Sequence, residues 1–390
     1  MFTEIGPAPG GFGSGLKAMA SDGSMAIGTS QSQIRGYTWS PASGIDLLPL
    51  LAGGSQSFAN DLSSDGTVVV GSCSIGVVRP VVWMQGVPQD IGTLDGFPSG
   101  TCNSVSEDGR VVVGTNSLNL STRAWRWTQE SGLENLGSLS PGWSASANGV
   151  NADGSVVTGS GSLPTGQFAI RWTAAAGMQS LGVLPGAVQS RGNAVSGDGL
   201  TIVGTSGTSF SSANAFRWTE TTGMQPLPLL TGTLTSIASA VNHDGSVIVG
   251  SASFTGESKA MLWHISFGAL SVRDFLVSKG INLAGWQLVS ALDIASDGRA
   301  LCGIGFLNGQ QRGWIAIGID FLMCDSIDFN NDGSTFDPQD IEAFLSVYSE
   351  GPCVPATATC NDIDFNNDTS IFDPQDIASF LSVYSEGPCL

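Results

Sequence analysis

Residues 192–230 read GNAVSGDGLTIVGTSGTSFSSANAFRWTETTGMQPLPLL, and this stretch decides the fold because six other stretches resemble it. An Asp-Gly pair recurs at intervals of 43 to 53 residues, and a tryptophan follows each pair. The aspartates are Asp22, Asp65, Asp108, Asp153, Asp198, Asp244 and Asp297. The tryptophans are Trp39, Trp83, Trp127, Trp172, Trp218, Trp263 and Trp314. The first part of the chain is therefore an array of seven repeats.

Each repeat predicts four short strands. A strand of small residues leads into the Asp-Gly turn, where Gly tolerates a positive φ and Asp bonds its own backbone. A continuous apolar strand such as TIVG follows, then a strand that ends in Trp, then a short strand such as GMQPL. A four-stranded sheet that is covered on both faces and repeats every ~45 residues is typical of a β-propeller blade.

The two ends of the array predict how the ring closes. The seventh repeat stops after the strand of Trp314 and lacks a fourth strand, whereas the N-terminal MFTEIGPAPGG resembles the end of a repeat. We predict that residues 2–6 pair with the strand of Trp314, in the same chain or in a neighbouring molecule, because closure removes exposed sheet edges. The longest interval predicts an inserted helix with Val272, Phe275 and Leu276 on one face and Gly280 at its end.

The segments RAWRWTQESGL, FAIRWTAAAGM and NAFRWTETTGM each follow an Asp-Gly turn and resemble the HAF repeats of extracellular bacterial proteins. The resemblance covers residues 1–320 and implies a repeat architecture and an extracellular location, but no particular activity. We interpret the repeated tryptophans as core anchors, since large aromatic side chains are usually buried. The repeated aspartates are interpreted as turn residues.

Candidate functional residues are few in the repeat array. Trp125, Trp143 and Trp286 stand outside the repeated Trp position and are candidates for ligand contacts, and Glu220 and Glu257 are loop carboxylates that could form a glycosidase-like site. The chain has only two histidines and contains no HExxH, GxSxG or phosphate-loop motif. We therefore predict no catalytic residues, no organic cofactor and no enzymatic activity.

Charge and hydropathy exclude some classes of partner. The net charge is −19, and no Lys or Arg occurs from Cys324 onward, so nucleic acid is not an expected partner. No run approaches the ~18 apolar residues of a membrane span. The first residues do not resemble a signal peptide, which is consistent with a cytosolic protein or with a mature exported one. Paired cysteines favour the second alternative, an extracellular or cell-surface protein.

The tail repeats one unit of about thirty residues, at 324–353 and 360–389. Asp328, Asn330 and Asp332 alternate as in a calcium-binding loop, because Ca²⁺ prefers six to eight hard oxygen ligands. The predicted ligands of the first ion are Asp328, Asn330, Asp332, the backbone carbonyl near Ser334, and Asp340. Those of the second are Asp364, Asn366, Asp368, the backbone carbonyl near Ser370, and Asp376. Thr369 replaces the glycine of the first loop, which predicts weaker binding at the second.

Cysteines frame both units of the tail. We predict disulfides between Cys324 and Cys353 and between Cys360 and Cys389. Zinc binding is the alternative, although the chain contains no CxxC pair. Cys73 and Cys102 could form a further pair, and Cys302 is left over as a small buried residue.

The segments DFNNDGSTFDPQDIEAFLSVY and DFNNDTSIFDPQDIASFLSVY resemble the loop–helix units of a dockerin domain. The resemblance covers residues 324–390. It implies two bound calcium ions and attachment to a protein partner through this module.

The sequence thus predicts an all-β, seven-bladed propeller at residues 1–322, closed by its N-terminal strand, and a small helical dockerin-like calcium module at 323–390. The predicted role is that of an extracellular or cell-surface structural or interaction protein, whose tail serves in attachment or assembly. One alternative is a carbohydrate-active enzyme or a glycan-binding propeller anchored through the tail. Another is a self-assembling surface-layer or filament subunit that uses its N-terminal strand or tail. Carboxylates that converge at the mouth of the channel would favour the enzyme.

Overall fold

The computed structural model describes residues 1–7, 14–30 and 34–319, which form a seven-bladed β-propeller. Each blade is an antiparallel sheet of four strands. This confirms the predicted fold of the repeat array.

The first strand and the first three blades follow one another along the chain. Strand β1 spans Phe2–Ile5 and belongs to the last blade. Blade 1 contains β2 (Ser14–Met19), β3 (Ala26–Ser30), β4 (Arg35–Ser40) and β5 (Gly44–Leu47). Blade 2 contains β6 (Gln56–Leu62), β7 (Val68–Ser74), β8 (Val78–Met84) and β9 (Val87–Asp90). Blade 3 contains β10 (Ser99–Val105), β11 (Val111–Leu118), β12 (Ser121–Thr128) and β13 (Gly132–Asn135).

The other four blades repeat this order. Blade 4 contains β14 (Ala145–Val150), β15 (Val156–Leu163), β16 (Gly166–Thr173) and β17 (Gly177–Ser180). Blade 5 contains β18 (Gln189–Val195), β19 (Thr201–Gly207), a 3₁₀ turn at Phe210–Ser212, β20 (Ala213–Thr219) and β21 (Gly223–Pro226). Blade 6 contains β22 (Thr235–Val241), β23 (Val247–Phe254), β24 (Glu257–His264) and β25 (Gly268–Ser271), followed by helix α1 (Val272–Ser278). Blade 7 contains β26 (Trp286–Ile294), β27 (Ala300–Leu307) and β28 (Gln310–Ile317), to which β1 is added.

The repeated aspartates shape the turns between the first and second strands, as predicted. In all seven turns, a carboxylate oxygen accepts a hydrogen bond from the backbone N–H two residues later, at 2.8 to 3.0 Å. The glycine that follows must be small as well as flexible. Gly154 has a φ of +75°, and a Cβ at this position would overlap Val111 of blade 3.

The hydrophobic core lies between the faces of neighbouring blades. One cluster joins Ile27 and Leu48 of blade 1 to Val69 and Trp83 of blade 2, and similar clusters join other neighbouring pairs. The indole N–H of Trp83 donates to the Pro49 carbonyl of the preceding blade, at 2.8 Å. The repeated tryptophans are therefore anchors of the core. Trp125, a candidate for ligand contact, is fully buried among them, so that interpretation was wrong.

The N-terminal strand closes the ring within its own chain. Strand β1 pairs antiparallel with β28, with Glu4 opposite Trp314. The buried side chain of Ile5 lies in the core between blades 7 and 1, and the Glu4 carboxylate accepts a hydrogen bond from the Arg312 guanidinium at 2.9 Å. The predicted pairing of residues 2–6 is thus confirmed in its intramolecular form.

The predicted insertion is helix α1. The Ser271 hydroxyl caps it by accepting a bond from the backbone N–H of Asp274, and Val272, Phe275 and Leu276 form its buried face. Gly280 follows the helix with a φ of +78°. The predicted helix is confirmed with its cap.

Several predictions concern residues outside the described part of the chain. These are the ten calcium-ligand residues and the four tail cysteines, all of which lie between 324 and 389. Within the described residues, Cys73, Cys102 and Cys302 are buried free thiols, so the further pair of Cys73 and Cys102 does not form. No helix in this part of the chain is long and apolar enough to cross a membrane.

Candidate functional site: the channel cavity

The first strands of all seven blades surround the central channel, and each contains a β-bulge. The bulge falls five residues before the turn aspartate. The seven bulge residues are Lys17, Asn60, Asn103, Asn148, Asn193, Ser239 and Leu292. A bulge leaves one residue out of the ladder, so its side chain can bond to the next blade.

Four of the bulge residues are asparagines that link consecutive blades from blade 2 to blade 6. The Asn103 amide donates to the Ala147 carbonyl of blade 4 at 2.6 Å, and the Asn148 amide donates to the Gly192 carbonyl of blade 5 at 2.8 Å. Asn60 and Asn193 form the equivalent bonds, both at 2.8 Å. These asparagines therefore stabilise the ring by joining neighbouring blades, and we call the four hydrogen bonds the asparagine latch.

A polar cavity of about 660 Å³ occupies the channel at the end where the Asp-Gly turns lie. All seven blades contribute to its walls. Its volume is within the range of ligand sites in proteins. We call it the channel cavity.

Two carboxylates lie in the wall of the channel cavity where the other blades have small residues. The position after the bulge is occupied by Asp61 in blade 2 and Asp293 in blade 7. The other five blades have Ala18, Ser104, Gly149, Ala194 and Ala240. Asp293 accepts a hydrogen bond from the backbone N–H of Met19 in blade 1, and Asp61 accepts one from Val105 in blade 3, both at 3.0 Å.

Burial makes these two carboxyl groups unusually basic. It raises the pKa of Asp61 to about 6, although hydrogen bonds, first among them one from Ser104, and the charge of Lys17 lower it. Burial also raises the pKa of Asp293 to about 7, with a further contribution from the charge of Asp61. Both groups therefore exchange protons close to neutral pH, which is the property required of a general acid or base.

A third carboxylate spans the mouth of the channel cavity. Glu107 of blade 3 immediately precedes a turn aspartate, and its Oε1 accepts a hydrogen bond from the Ser296 hydroxyl of blade 7 at 2.5 Å. The same oxygen lies 3.5 Å from Nδ1 of His243 in blade 6. Gly197 of blade 5 leaves room for this cluster, since a Cβ there would overlap the His243 ring.

Two cations also line the cavity. Lys17 is the bulge residue of blade 1, and Arg191 lies on β18 in blade 5. Both residues are solvent-exposed. The channel cavity therefore combines three carboxylates, a histidine and two cations. Across the part of the chain that the structure covers, no three His, Cys, Asp or Glu side chains converge as metal ligands.

The residues that the sequence singled out in loops lie elsewhere. Glu220 is exposed in a turn of blade 5, and Glu257 forms an ion pair with Lys259 at 3.1 Å. Trp143 is 41% exposed, and Trp286 packs against the Phe2 ring. The sequence analysis missed Asp61, Glu107 and Asp293. Alignment of the seven first strands would have exposed them, because they are acidic where most of the other repeats have small residues.

No protein-family model matches this chain, and no curated protein matches it. Solved structures do match. An oligogalacturonate lyase from Vibrio parahaemolyticus is 12% identical, with a TM-score of 0.54 over 81% of this chain and 96% of that one. An oligogalacturonate lyase in complex with manganese is 12% identical, with a TM-score of 0.51 over 82% and 91%. A virginiamycin B lyase from Staphylococcus aureus is 12% identical, with a TM-score of 0.50 over 81% and 99%.

These structures correct the prediction that the protein is not an enzyme. That prediction rested on the lack of familiar motifs, yet the similar propellers include proteins named as lyases. Motif absence is therefore no ground for excluding catalysis on this fold. At this identity the likeness shows the fold alone, so the activity must be argued from the channel cavity itself.

Proposed function

We propose that the protein is an extracellular, carbohydrate-active propeller that binds a glycan segment in its channel cavity and acts on it by acid–base chemistry. One observation carries the proposal. Glu107 meets His243 and Ser296 across the channel mouth, above the half-buried Asp61 and Asp293. Carboxylates that converge at the mouth are the feature expected of the enzyme alternative.

Acid–base chemistry on a sugar requires one group that accepts a proton and another that donates one. Asp293 retains a proton up to about pH 7 and is suited to donate it. The Glu107 carboxylate accepts a hydrogen bond from Ser296 and is suited to take up a proton, with His243 beside it to share the charge. The cavity thus contains both a candidate proton donor and a candidate proton acceptor.

The remaining wall fits a polar, hydroxyl-rich ligand. Backbone and side-chain amides, hydroxyls and charged groups dominate the lining, and among the described residues no large aromatic side chain contributes to it. Sites that bind through many polar contacts select for ligands that satisfy each of them. The names of the similar lyases add a precedent for sugar chemistry on this fold.

The tail is proposed to attach this propeller to a partner outside the cell. The support comes from the alternating ligand residues, beginning with Asp328 and Asp364, and from the four framing cysteines. A protein partner is the proposed attachment. The N-terminal strand is already paired with β28 of its own chain, which disfavours assembly through that strand.

The test of the catalytic proposal is a panel of neutral and acidic polysaccharides, with new reducing ends and new ultraviolet absorbance as readouts. We expect turnover of at least one polysaccharide. Glu107→Gln should lower the rate by about a hundredfold or more, since a positioned acid or base contributes roughly 10²–10⁴-fold. Glu220→Gln is the matched control, because Glu220 is exposed outside the cavity. Lack of turnover across the panel, or equal rates in Glu107→Gln and the parent protein, would contradict the proposal.

The test of the tail is calorimetric titration of the calcium-free full chain with Ca²⁺. We expect two sites, the second weaker. Asp328→Ala should remove the tighter site and Asp364→Ala the weaker, while both variants keep the thermal transition of the propeller. Titrations without heat of binding, or mass spectra with four free thiols in residues 324–389, would contradict the calcium and disulfide predictions.

A further inference from the structure

We infer that the ligand of the channel cavity carries carboxylate groups, and that Lys17 and Arg191 bind them. This inference rests on the proposed function, since it names the class of glycan that the same cavity would take. Two cations on opposite walls of a polar channel favour the binding of an acidic sugar.

Lys17 departs from the repeat at the bulge position. Four blades carry an asparagine there, and that asparagine is consumed by the latch to the next blade. Lys17 instead lines the channel cavity, and its blade stands between the blades of Asp293 and Asp61. A lysine at this position forms no latch, and its charge, which also lowers the pKa of Asp61, lies where a ligand of the cavity can contact it.

Arg191 departs from the repeat in the same way, two residues before its bulge. The equivalent residues of the other blades are all uncharged: Gly15, Phe58, Thr101, Ser146, Ile237 and Ser290. Arg191 belongs to blade 5 and Lys17 to blade 1, so they face the cavity from well-separated parts of the ring. A ligand in the channel can thus contact both.

Five cations outside the cavity form ion pairs with acidic side chains. Arg79 pairs with Asp90 at 2.9 Å, Lys259 with Glu257 at 3.1 Å, and Arg312 with Glu4 at 2.9 Å. Within the described residues, neither Lys17 nor Arg191 forms an ion pair. What sets Lys17 and Arg191 apart is that both line one cavity, where an anionic ligand would supply their partner.

The carboxylates of the cavity oppose the positive charge of these cations only at pH values where they are ionised. Its charged and titratable groups are Lys17, Asp61, Glu107, Arg191, His243 and Asp293. Asp61 and Asp293 are both ionised above pH 7 and repel an anion, whereas below pH 6 both carry protons. Glu107 is held by Ser296 and His243. Binding of an acidic sugar should therefore strengthen as the pH falls from 8 to 5.5.

The experiment is calorimetric titration of the full chain with trigalacturonate and with its methyl ester, which has the same rings but no charge. We expect the acid to bind at least about tenfold more tightly than the ester at pH 5.5, as charge-assisted hydrogen bonds imply, and the preference to shrink at pH 8. Lys17→Met and Arg191→Met should each abolish most of the preference. Lys17→Arg should retain it, and Arg110→Gln, outside the cavity, should leave it unchanged. His243→Gln separates any contribution of that ring to the pH dependence.

The outcomes separate this inference from the proposed function. Equal binding of acid and ester, sensitive to Glu107→Gln, would overturn the carboxylate inference and leave the glycan proposal standing. Tighter binding of a sulfated trisaccharide than of trigalacturonate would also overturn it. Binding of none of these sugars would contradict both. If Lys17→Met fails to fold, the comparison of acid and ester on the parent protein still decides.

Discussion

The first strands of blades 3 to 5 and those of blades 7, 1 and 2 occupy the same place in the ring but differ in chemistry. In blades 3 to 5, an asparagine at the bulge latches each blade to the next, and the position after it is Ser104, Gly149 or Ala194. In blades 7, 1 and 2, the equivalent region presents Asp293, Lys17 and Asp61 to the channel. The regular sector preserves the ring, whereas the irregular sector exposes titratable groups in a cavity.

The difference teaches where function can develop in a repeat protein. A closed ring is held by many similar bonds, so it tolerates the loss of some of them. The irregular sector includes blade 7, which is itself completed by the N-terminal strand and held by the Glu4–Arg312 pair. Blades 7 and 1 lack the asparagine latch, which Asn60 still forms in blade 2, and the core between blades 7 and 1 includes Ile5 of the closing strand.

The largest expected effect comes from removing the N-terminal strand that closes the ring. Removal of residues 1–6 should lower the melting temperature by about 10 °C or more, because it exposes β28 and removes the buried Ile5 from the core between blades 7 and 1. Differential scanning calorimetry measures it, with Thr3→Ala as a control that keeps the backbone pairing. Addition of a peptide of sequence MFTEIGP should restore part of the loss. An unchanged transition would show that the irregular sector is held by other contacts.

A smaller effect is expected from the titration of Asp293. Its pKa is raised in the folded state, so the folded protein keeps this proton when the unfolded chain has lost it. The stability that this proton provides is complete below about pH 4 and is lost as the pH rises to about 7. When the pH is raised from 4 to 8, the free energy of unfolding of Asp293→Asn should therefore increase by on the order of 2 to 3 kcal/mol relative to that of the parent protein.

Urea denaturation across this pH range provides the measurement. Asp22→Asn is the control of opposite sign, because bonds from Ser24 lower the pKa of Asp22 and its contribution is lost on acidification. A difference between Asp293→Asn and the parent that stays constant with pH would show that Asp293 is not buried as the structure describes.

The smallest expected effect concerns a single latch. Asn148→Ala leaves the Gly192 carbonyl without its donor and should destabilise the protein by about 1 to 2 kcal/mol. Ser239→Ala is the matched change at the bulge of blade 6, where Ser239 makes no comparable bond within the described residues, and it should cost less than about 0.5 kcal/mol. Chemical denaturation of the two variants compares a bulge that forms a latch with one that does not. Equal losses of stability would show that the latch of Asn148 does not stabilise the ring.

Much of the propeller could be predicted from the sequence because its determinants are local. The Asp-Gly turns depend on adjacent residues, helix α1 depends on its own cap and apolar face, and the count of seven follows from a visible period. The pairing of the closing strand was also predictable, because the last repeat lacks one strand and the N-terminus supplies one, but the structure decided that both belong to the same ring. The loop carboxylates Glu220 and Glu257 were poor guides, since nothing local to them shows which end of the channel holds a cavity.

What the sequence by itself determined is therefore the blade, the number of blades and the strand that completes the last one. Only the tertiary structure decided the site. The Glu107 carboxylate and the Ser296 hydroxyl are separated by 189 residues, and they meet because ring closure places blades 3 and 7 on facing sides of one channel. The basicity of Asp61 and Asp293 likewise arises from their burial between blades. Proximity and desolvation are properties of the assembled ring, and no single repeat contains them.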